Sequence, residues 1–305
     1  MILTNYHAHT NFCDGKESPE AMVREAIACG FQIFGFSAHS IHPFASDWHL
    51  PIHRIPDYVA EINRLKLLYQ GQVEILCGFE ADYLPPISDA LQAPYRALGA
   101  DYLIGSLHYL VTPTGCFTVD DAAKNVAAGI ETHFKGDGKK TVQAYFAAQR
   151  DMLRIGGFEI LGHADVVRRR NGELHFFNEE AQWYKDELQE TATVIAQSGV
   201  IVEINTGGMA RGNTSTPYPS PYFLSLLAKK DVPITINSDV HNSGYLDYGF
   251  EAARQEALAA GYGETDQRTG NVVSRTPHCS DVGAVVGVEV DAVRKLGSLC
   301  HIDQL

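Results

Sequence analysis

The chain has 305 residues, 45% of them hydrophobic, with 37 acidic side chains against 24 basic ones and a formal charge of -13 at pH 7. Apolar content at this level can fill a core, which excludes wholesale disorder. The shortage of Lys and Arg argues against a general nucleic-acid binder, whose grip on phosphate depends on them. No apolar run reaches the roughly 20 residues of a membrane span. The opening MILTNYHAHT lacks the basic head and apolar stretch of a signal peptide, so a cytoplasmic protein without a membrane partner is expected. Cys13, Cys29, Cys77, Cys116, Cys279 and Cys300 form no CxxC pair and are expected to be reduced, small apolar fillers.

Short β-rich runs alternate with helical segments along the chain. Ile2–His7 is the first predicted strand. A helix follows from Ser18-Pro19-Glu20, with Met22, Val23, Ala26 and Ile27 apolar and Gly30 at its end. A second strand spans 31–39, and a helix over Asp57–Gln70 places Val59, Ile62, Leu65 and Tyr69 on one face. Further strands are predicted at 73–82, 101–108, 158–165, 200–208 and 232–241. Helices are predicted over Lys139–Ile155, over Glu179–Gln197 with Asn178 as cap and Gly199 as stop, and from Ser220-Pro221 to Lys230. The strands are near-continuous apolar runs, as expected of parallel strands buried on both faces. Seven repeats of strand and helix predict a single-domain α/β fold closed, or nearly closed, into a barrel. Residues 109–138 are too long for a plain connection and are expected to cross the barrel mouth. Gly263–Ser280 has the composition of a polar surface loop, followed by a last helix near Val282–Leu296 packed on the same domain.

The strand ends carry the chemistry. The first ends in His7-Ala-His9 with Asp14 five residues on, the second in His39, the third in Glu80, the fourth in His108 and the fifth in His163. The sixth ends in Asn205-Thr206-Gly207-Gly208 and the seventh in Asp239-Val240-His241. In an α/β barrel the C-terminal strand ends converge on one rim, where the active site sits. Imidazole nitrogen and carboxylate oxygen are ligands for zinc, manganese or iron. His-x-His on an extended strand puts two rings on one face, and Asp-x-His repeats the device. A lone histidine is more often a hydrogen-bonded core residue than a ligand. Six imidazoles and three carboxylates on one rim are poorly explained that way, and with Glu80 able to bridge, they suit two or three ions.

His7-x-His9 with Asp14-Gly15, then FSAHS, GFEADY, GSLHY, GHADVV and SDVH, resembles the PHP (polymerase and histidinol phosphatase) superfamily. Within it, GFEADY, GHADVVRR, EINTGG and YPSPYFL…VPITINSDVH are most similar to the monofunctional histidinol-phosphate phosphatases. The resemblance spans about residues 1 to 260 and implies a distorted (β/α)7 TIM-like barrel with a centre of three divalent ions. By position it implies one ion on His7, His9, Glu80 and Asp239, a second on Glu80, His108 and His163, and a third on Asp14, His39 and His241. The sequence departs from the family pattern at Asn5, where Asp is common, and at Cys13, where Ser is common. Asn5 is still expected to orient an imidazole by hydrogen bond.

Three ions against three carboxylates leave a positive site that attracts a phosphate monoester despite the acidic chain. The expected reaction is attack of a metal-bridging hydroxide on phosphorus, releasing an alcohol, most simply L-histidinol, and phosphate. Glu80, Asp239 and His241 are thus candidate catalytic groups. His42 is a candidate phosphate contact or proton donor to the leaving oxygen. Arg168, Arg169 and Arg211 are candidate phosphate grips, Arg211 favoured because it follows a Gly-Gly turn, and Tyr109 is a candidate wall. Asp165 is a candidate second contact or helix cap. His49, His53, His133, His175, His278 and His301 fall outside the strand ends and are expected to be ordinary, as are Trp48 and Trp183. Two other readings stay open on sequence alone: a phosphodiesterase or exonuclease acting on nucleotides, and a non-catalytic metal-binding barrel.

Overall fold

The computed structural model describes residues 3–39, 41–42, 46–88 and 92–263. The helix expected near Val282–Leu296 and almost all of the preceding polar loop lie outside the described residues, with Cys279, Cys300, His278 and His301. In chain order the elements are β1 (Thr4–Asn5), α1 (Pro19–Ala28), β2 (Ile33–His39), α2 (Ile55–Leu68), β3 (Glu74–Asp82), α3 (Gln92–Ala97), β4 (Tyr102–Ser106), β5 (Tyr109–Thr112), β6 (Gly115–Thr118), α4 (Ala123–Phe134), α5 (Gly138–Ile155), β7 (Ile160–Leu161), α6 (Asn171–Leu174), α7 (Gln182–Ser198), β8 (Ile201–Asn205), α8 (Gly207–Ala210), α9 (Pro221–Ala228), β9 (Ile234–Asn237) and α10 (Phe250–Ala260).

Seven strands form one parallel sheet in the order β1-β2-β3-β4-β7-β8-β9. A parallel bridge between Ala8 and Val240 brings the two edges together just beyond β1 and β9. There His9 N–H donates to the Val240 carbonyl at 2.8 Å and Val240 N–H to the His7 carbonyl at 3.3 Å. The result is a distorted (β/α)7 TIM-like barrel, as the alternating pattern predicts. The excursion between the fourth and fifth barrel strands is the antiparallel hairpin β5–β6 followed by α4.

Several predicted ends shift for local reasons. Ser18 caps α1 by accepting from Ala21 N–H at 3.3 Å, and Gly199 closes α7 in the left-handed region at φ 74°. Asn178 does not cap α7, which starts later, after Ala181. Helix α2 begins at Ile55 and buries Tyr58 along with Ile62 and Leu65. Ser220 precedes α9 without a side-chain cap bond; its own N–H instead donates to Asp165 Oδ2 at 2.8 Å, which gives Asp165 a structural role at the start of that helix.

Period two sorts each barrel strand into two faces. Phe34, Phe36, Ile75, Cys77, Phe79, Val202, Ile204, Ile234 and Ile236 join the large apolar core between sheet and helices. The opposite face carries a smaller cluster of Ile33, Leu76, Tyr102, Ile104 and Ile160, joined by Tyr6. Followed toward the strand C-termini, that same face turns polar: Ser37 and His39, Glu80 and Asp82, Ser106, Glu203 and Asn205. The interior is thus apolar at its base and charged at its rim.

Tyr102 lies between these layers. Its hydroxyl reaches the carbonyls of Phe36, at 2.9 Å, and Tyr6. Its ring lies over Gly35 and Gly78, where an added Cβ would come within 2.3 and 2.4 Å of it. Gly78→Ala is therefore expected to destabilise the protein by about 1–3 kcal/mol through overpacking. A fall in the urea midpoint at unchanged m value would report it; an unchanged midpoint would mean that the ring is free to move aside.

Candidate metal centre

Parallel pairing sets His39 on β2 level with Glu80 on β3, both facing inward. These two are the ligand candidates that lie inside the strand ladder. His7, His9, His108, His163, Asp239 and His241 stand just past it, on the segments that follow the strands. The extended Asp-x-His arrangement expected after the seventh strand is corrected here. Asp239 has φ 48°, so the chain turns at that residue. Such a backbone is costly for a non-glycine residue and is found where a site fixes it.

All nine candidates converge, with Glu80 at the centre. Its Oε2 faces His39 Nδ1 at 2.9 Å, His7 Nε2 at 3.3 Å and His9 Nε2 at 3.7 Å. Its Oε1 faces His163 Nε2 at 2.9 Å and His108 Nε2 at 3.5 Å, and accepts from Ser106 Oγ at 2.7 Å. Asp239 Oδ1 lies 3.2 Å from His9 Nε2 and 3.6 Å from His7 Nε2. Asp14 faces His241 Nε2 at 3.1 Å and His39 Nε2 at 3.5 Å.

These distances fit ion binding. Two ligands about 2.0–2.2 Å from one tetrahedral ion stand about 3.4 Å apart, longer than an ordinary charged hydrogen bond. Most of the nitrogen–oxygen separations above fall near that value. His7 Nε2, His9 Nε2 and Asp14 Oδ1 are buried yet make no hydrogen bond, which is costly unless something else satisfies them. Donor atoms fall within 4.8 Å of one another in three overlapping groups: His9, Asp14, His39 and His241; His7, His9 and Asp239; His39, Glu80 and His108. His163 is outside those groups and joins through Glu80.

Two carboxylates that the sequence reasoning did not single out hold the rings in place. Glu203, fully buried on β8, accepts from His7 Nδ1 at 2.9 Å and Asn237 Nδ2 at 2.9 Å on Oε2. On Oε1 it accepts from the His163 backbone N–H at 2.7 Å and Asn205 Nδ2 at 2.8 Å. Asp82 Oδ1 accepts from His108 Nδ1 at 2.6 Å. Each bond fixes one ring nitrogen as the proton carrier and turns the other toward Glu80. A carboxylate inside an otherwise apolar parallel strand was the available signal for Glu203. For Asp82 it was the two-residue offset from Glu80. Asn5 does not orient an imidazole; it donates to the His7 carbonyl at 3.2 Å and accepts from Ser238 N–H, tying the first and last strands. The ring contact falls to Cys13, whose Sγ is 3.7 Å from His9 Nδ1.

Burial alone would neutralise these carboxylates, but His7, His108 and His39 hold Glu80 well below the usual range, and Arg211 and His7 do the same for Asp239. Burial and the neighbouring His39 and His241 push His9 down to about 3. Burial also opposes charge on His7, His39 and His108. Glu203, Glu80 and Asp239 nevertheless raise His7 well above its ordinary value, Asp14 and Glu80 raise His39, and Asp82 and Glu80 raise His108 to about 9. Divalent ions must displace those protons, so zinc loading near pH 7.5 is expected to release roughly two to three protons per chain. Buffer-dependent heats of binding would measure them, and buffer-independent heats would show the rings already neutral.

Among the remaining predicted residues, Arg211 is beside the cage. It donates to Asp239 Oδ2 at 2.8 Å and to the Asp239 carbonyl at 3.1 Å. The side chains of Asp14, His241 and Arg211 are 27%, 25% and 33% exposed, which makes this the open edge of the centre. Arg168 is buried: it donates to the Pro217 carbonyl and Thr216, pairs with Asp165 and covers the Tyr218 ring. Arg169 pairs with Asp120 at 2.9 Å. His42 is buried 3.6 Å from Asp82 Oδ2, and the Tyr109 hydroxyl is 3.2 Å from His49 Nε2. His49 is itself buried, contrary to the expectation of an ordinary residue.

Comparison with known proteins matches this arrangement. The chain is 25% identical over 262 residues to a Deinococcus radiodurans protein named "Probable histidinol-phosphatase", covering 85% of this chain and 94% of that one. It is 23% identical over 267 residues to the histidinol-phosphatase of Bacillus subtilis, covering 81% and 96%. Its fold is similar, with a TM-score of 0.66 and 23% identity, to the crystal structure of histidinol phosphate phosphatase from Lactococcus lactis complexed with zinc, L-histidinol and phosphate, covering 85% of this chain and 94% of that one. The family model described as the PHP domain matches residues 5–207, from the end of β1 to the start of α8, and this chain belongs to that family.

Proposed function

We propose that this protein is a metal-dependent phosphomonoesterase that hydrolyses L-histidinol phosphate to L-histidinol and phosphate, a cytoplasmic step of histidine biosynthesis. The observation that carries the reading is the cluster of nine imidazole and carboxylate donors centred on Glu80 and including it, with an open edge lined by Asp14, His241 and Arg211. The histidinol-phosphatase names of its relatives support the substrate.

In this reading three divalent ions are held: one by His7, His9, Glu80 and Asp239, one by Glu80, His108 and His163, and one by Asp14, His39 and His241. Zinc, manganese and iron all suit these donors. Such ions, when bound, acidify water into a nucleophile and neutralise charge on the phosphoryl oxygens. The protein supplies the geometry. Glu80 would serve as a ligand common to two ions, while Glu203 and Asp82 keep His7 and His108 aimed inward. Arg211, steadied by Asp239, offers its guanidinium to the phosphate arriving at the open edge. As the new P–O bond forms and the ester P–O bond breaks, the leaving oxygen needs a proton, and His42 is the group assigned here to give it.

Removal of the metals is the direct test. Dialysis against a chelator is expected to abolish phosphate release from histidinol phosphate, and zinc or manganese to restore it; equal rates before and after would overturn the proposal. Arg211→Ala is expected to raise KM about 10-fold or more, since a charged hydrogen bond is worth about 1.5–3 kcal/mol. An unchanged KM would remove Arg211 from the phosphate site.

A further inference from the structure

Asp82 has two edges. Oδ1 holds His108, while Oδ2 faces His42 Nε2 at 3.6 Å. Beyond His42 lies His49, the two ring centroids 4.5 Å apart. Donor atoms of His42, His49 and Asp82 all fall within 4.8 Å of one another, and the three residues are buried. None of them belongs to the nine donors of the main centre. We propose that His42, His49 and Asp82 form an additional divalent-cation site, suited to zinc, alongside the main centre.

Two imidazoles and one carboxylate are a donor set that zinc accepts, with a fourth position left for solvent or ligand. The 3.6 Å between His42 Nε2 and Asp82 Oδ2 is near the roughly 3.4 Å between two ligands sharing a tetrahedral ion. His49 has the outer support that metal-binding rings commonly show, its Nε2 lying 3.2 Å from the Tyr109 hydroxyl. Trp48 covers the same ring, with centroids 3.8 Å apart, and stacks on Tyr109 with 17° between planes. Together the two aromatics give the site an apolar wall, which limits exchange with bulk water. Burial, with His42 alongside, pushes the His49 pKa down to about 3, so the ring is neutral and able to ligate.

The site shares Asp82 with the support of His108 and shares His42 with the proposed proton delivery. Zinc bound there would occupy both, so excess zinc slows turnover. Only this rate consequence rests on the phosphatase reading; the binding itself does not.

The experiment counts ions. Full-length protein is stripped with a chelator and dialysed to equilibrium against rising zinc chloride, and bound zinc is measured by mass spectrometry. Wild type is expected to saturate with one zinc more than His49→Ala, and His49→Asp, which restores a donor, to regain it. Equal saturation of wild type and His49→Ala overturns the proposal. Loss of more than one ion from a His49→Ala protein with an unchanged circular dichroism spectrum also overturns it, by assigning His49 to the main centre. Should His49→Ala fail to fold, His49→Gln, which keeps the side-chain bulk, takes its place under the same criteria. The count does not depend on turnover: a chain that released no phosphate from histidinol phosphate would refute the phosphatase reading, and the one-ion difference would still decide this one.

Discussion

Glu80→Ala is expected to lower kcat for histidinol phosphate by at least about 10³-fold while the barrel stays folded. The two oxygens of Glu80 together face five imidazoles, His7, His9 and His39 on one and His108 and His163 on the other. Without it the ions lose their shared ligand and the spacing that places nucleophile and phosphate together. Metal-supplied charge stabilisation is worth several kcal/mol, and each 1.36 kcal/mol is tenfold in rate. The fold should survive because the apolar layers on both faces of the sheet do not include this residue. Zinc content, circular dichroism and steady-state kinetics on one preparation make the test. A folded variant with less than tenfold loss would show that Glu80 is not the organising ligand.

The second large effect is expected at Glu203, a positioning residue that acts through His7. Its two oxygens accept four donors, two each, from His7, Asn237, the His163 backbone and Asn205. Only an ionised carboxylate offers four acceptor sites, and the amide of glutamine replaces half of them with donors. Glu203→Gln keeps the volume but sets N–H against N–H at His7 or at His163. Loss of such an outer partner commonly costs 10–100-fold in metal affinity. Buried donors left without acceptors add about 1–3 kcal/mol of lost stability. Competition with a chromophoric zinc chelator would report the first and urea unfolding the second. If zinc affinity were unchanged while stability fell, Glu203 would be a scaffold residue with no hold on the metal centre.

The nine donors of the main centre are legible in the sequence because period two and barrel topology are local rules. A histidine or carboxylate at the end of an apolar run is assigned to the rim without knowing its neighbours. The alternation of strand and helix likewise announces the barrel. Strand lengths are less legible, since β1 and β7 are only two residues long, and a strand's extent depends on which backbone groups a neighbouring strand meets. Helix α10, over Phe250–Ala260, has no broad apolar stripe to announce it: alanines and charged residues dominate, and it buries only Ala253 and Ala257.

The chemistry is written in residue identity: which donor types stand at the strand ends, how many there are, and that they suit divalent ions. Partnership between residues far apart in the chain arises only on folding. Glu203 meets His7 across 196 positions, and Arg168 is drawn to the Thr216–Pro217 turn. His49, ordinary in the sequence, is buried within reach of Asp82. The physical reason is that a ligand type is a property of one side chain, whereas orientation, desolvation and hydrogen-bond satisfaction are properties of pairs that exist only once the sheet has closed.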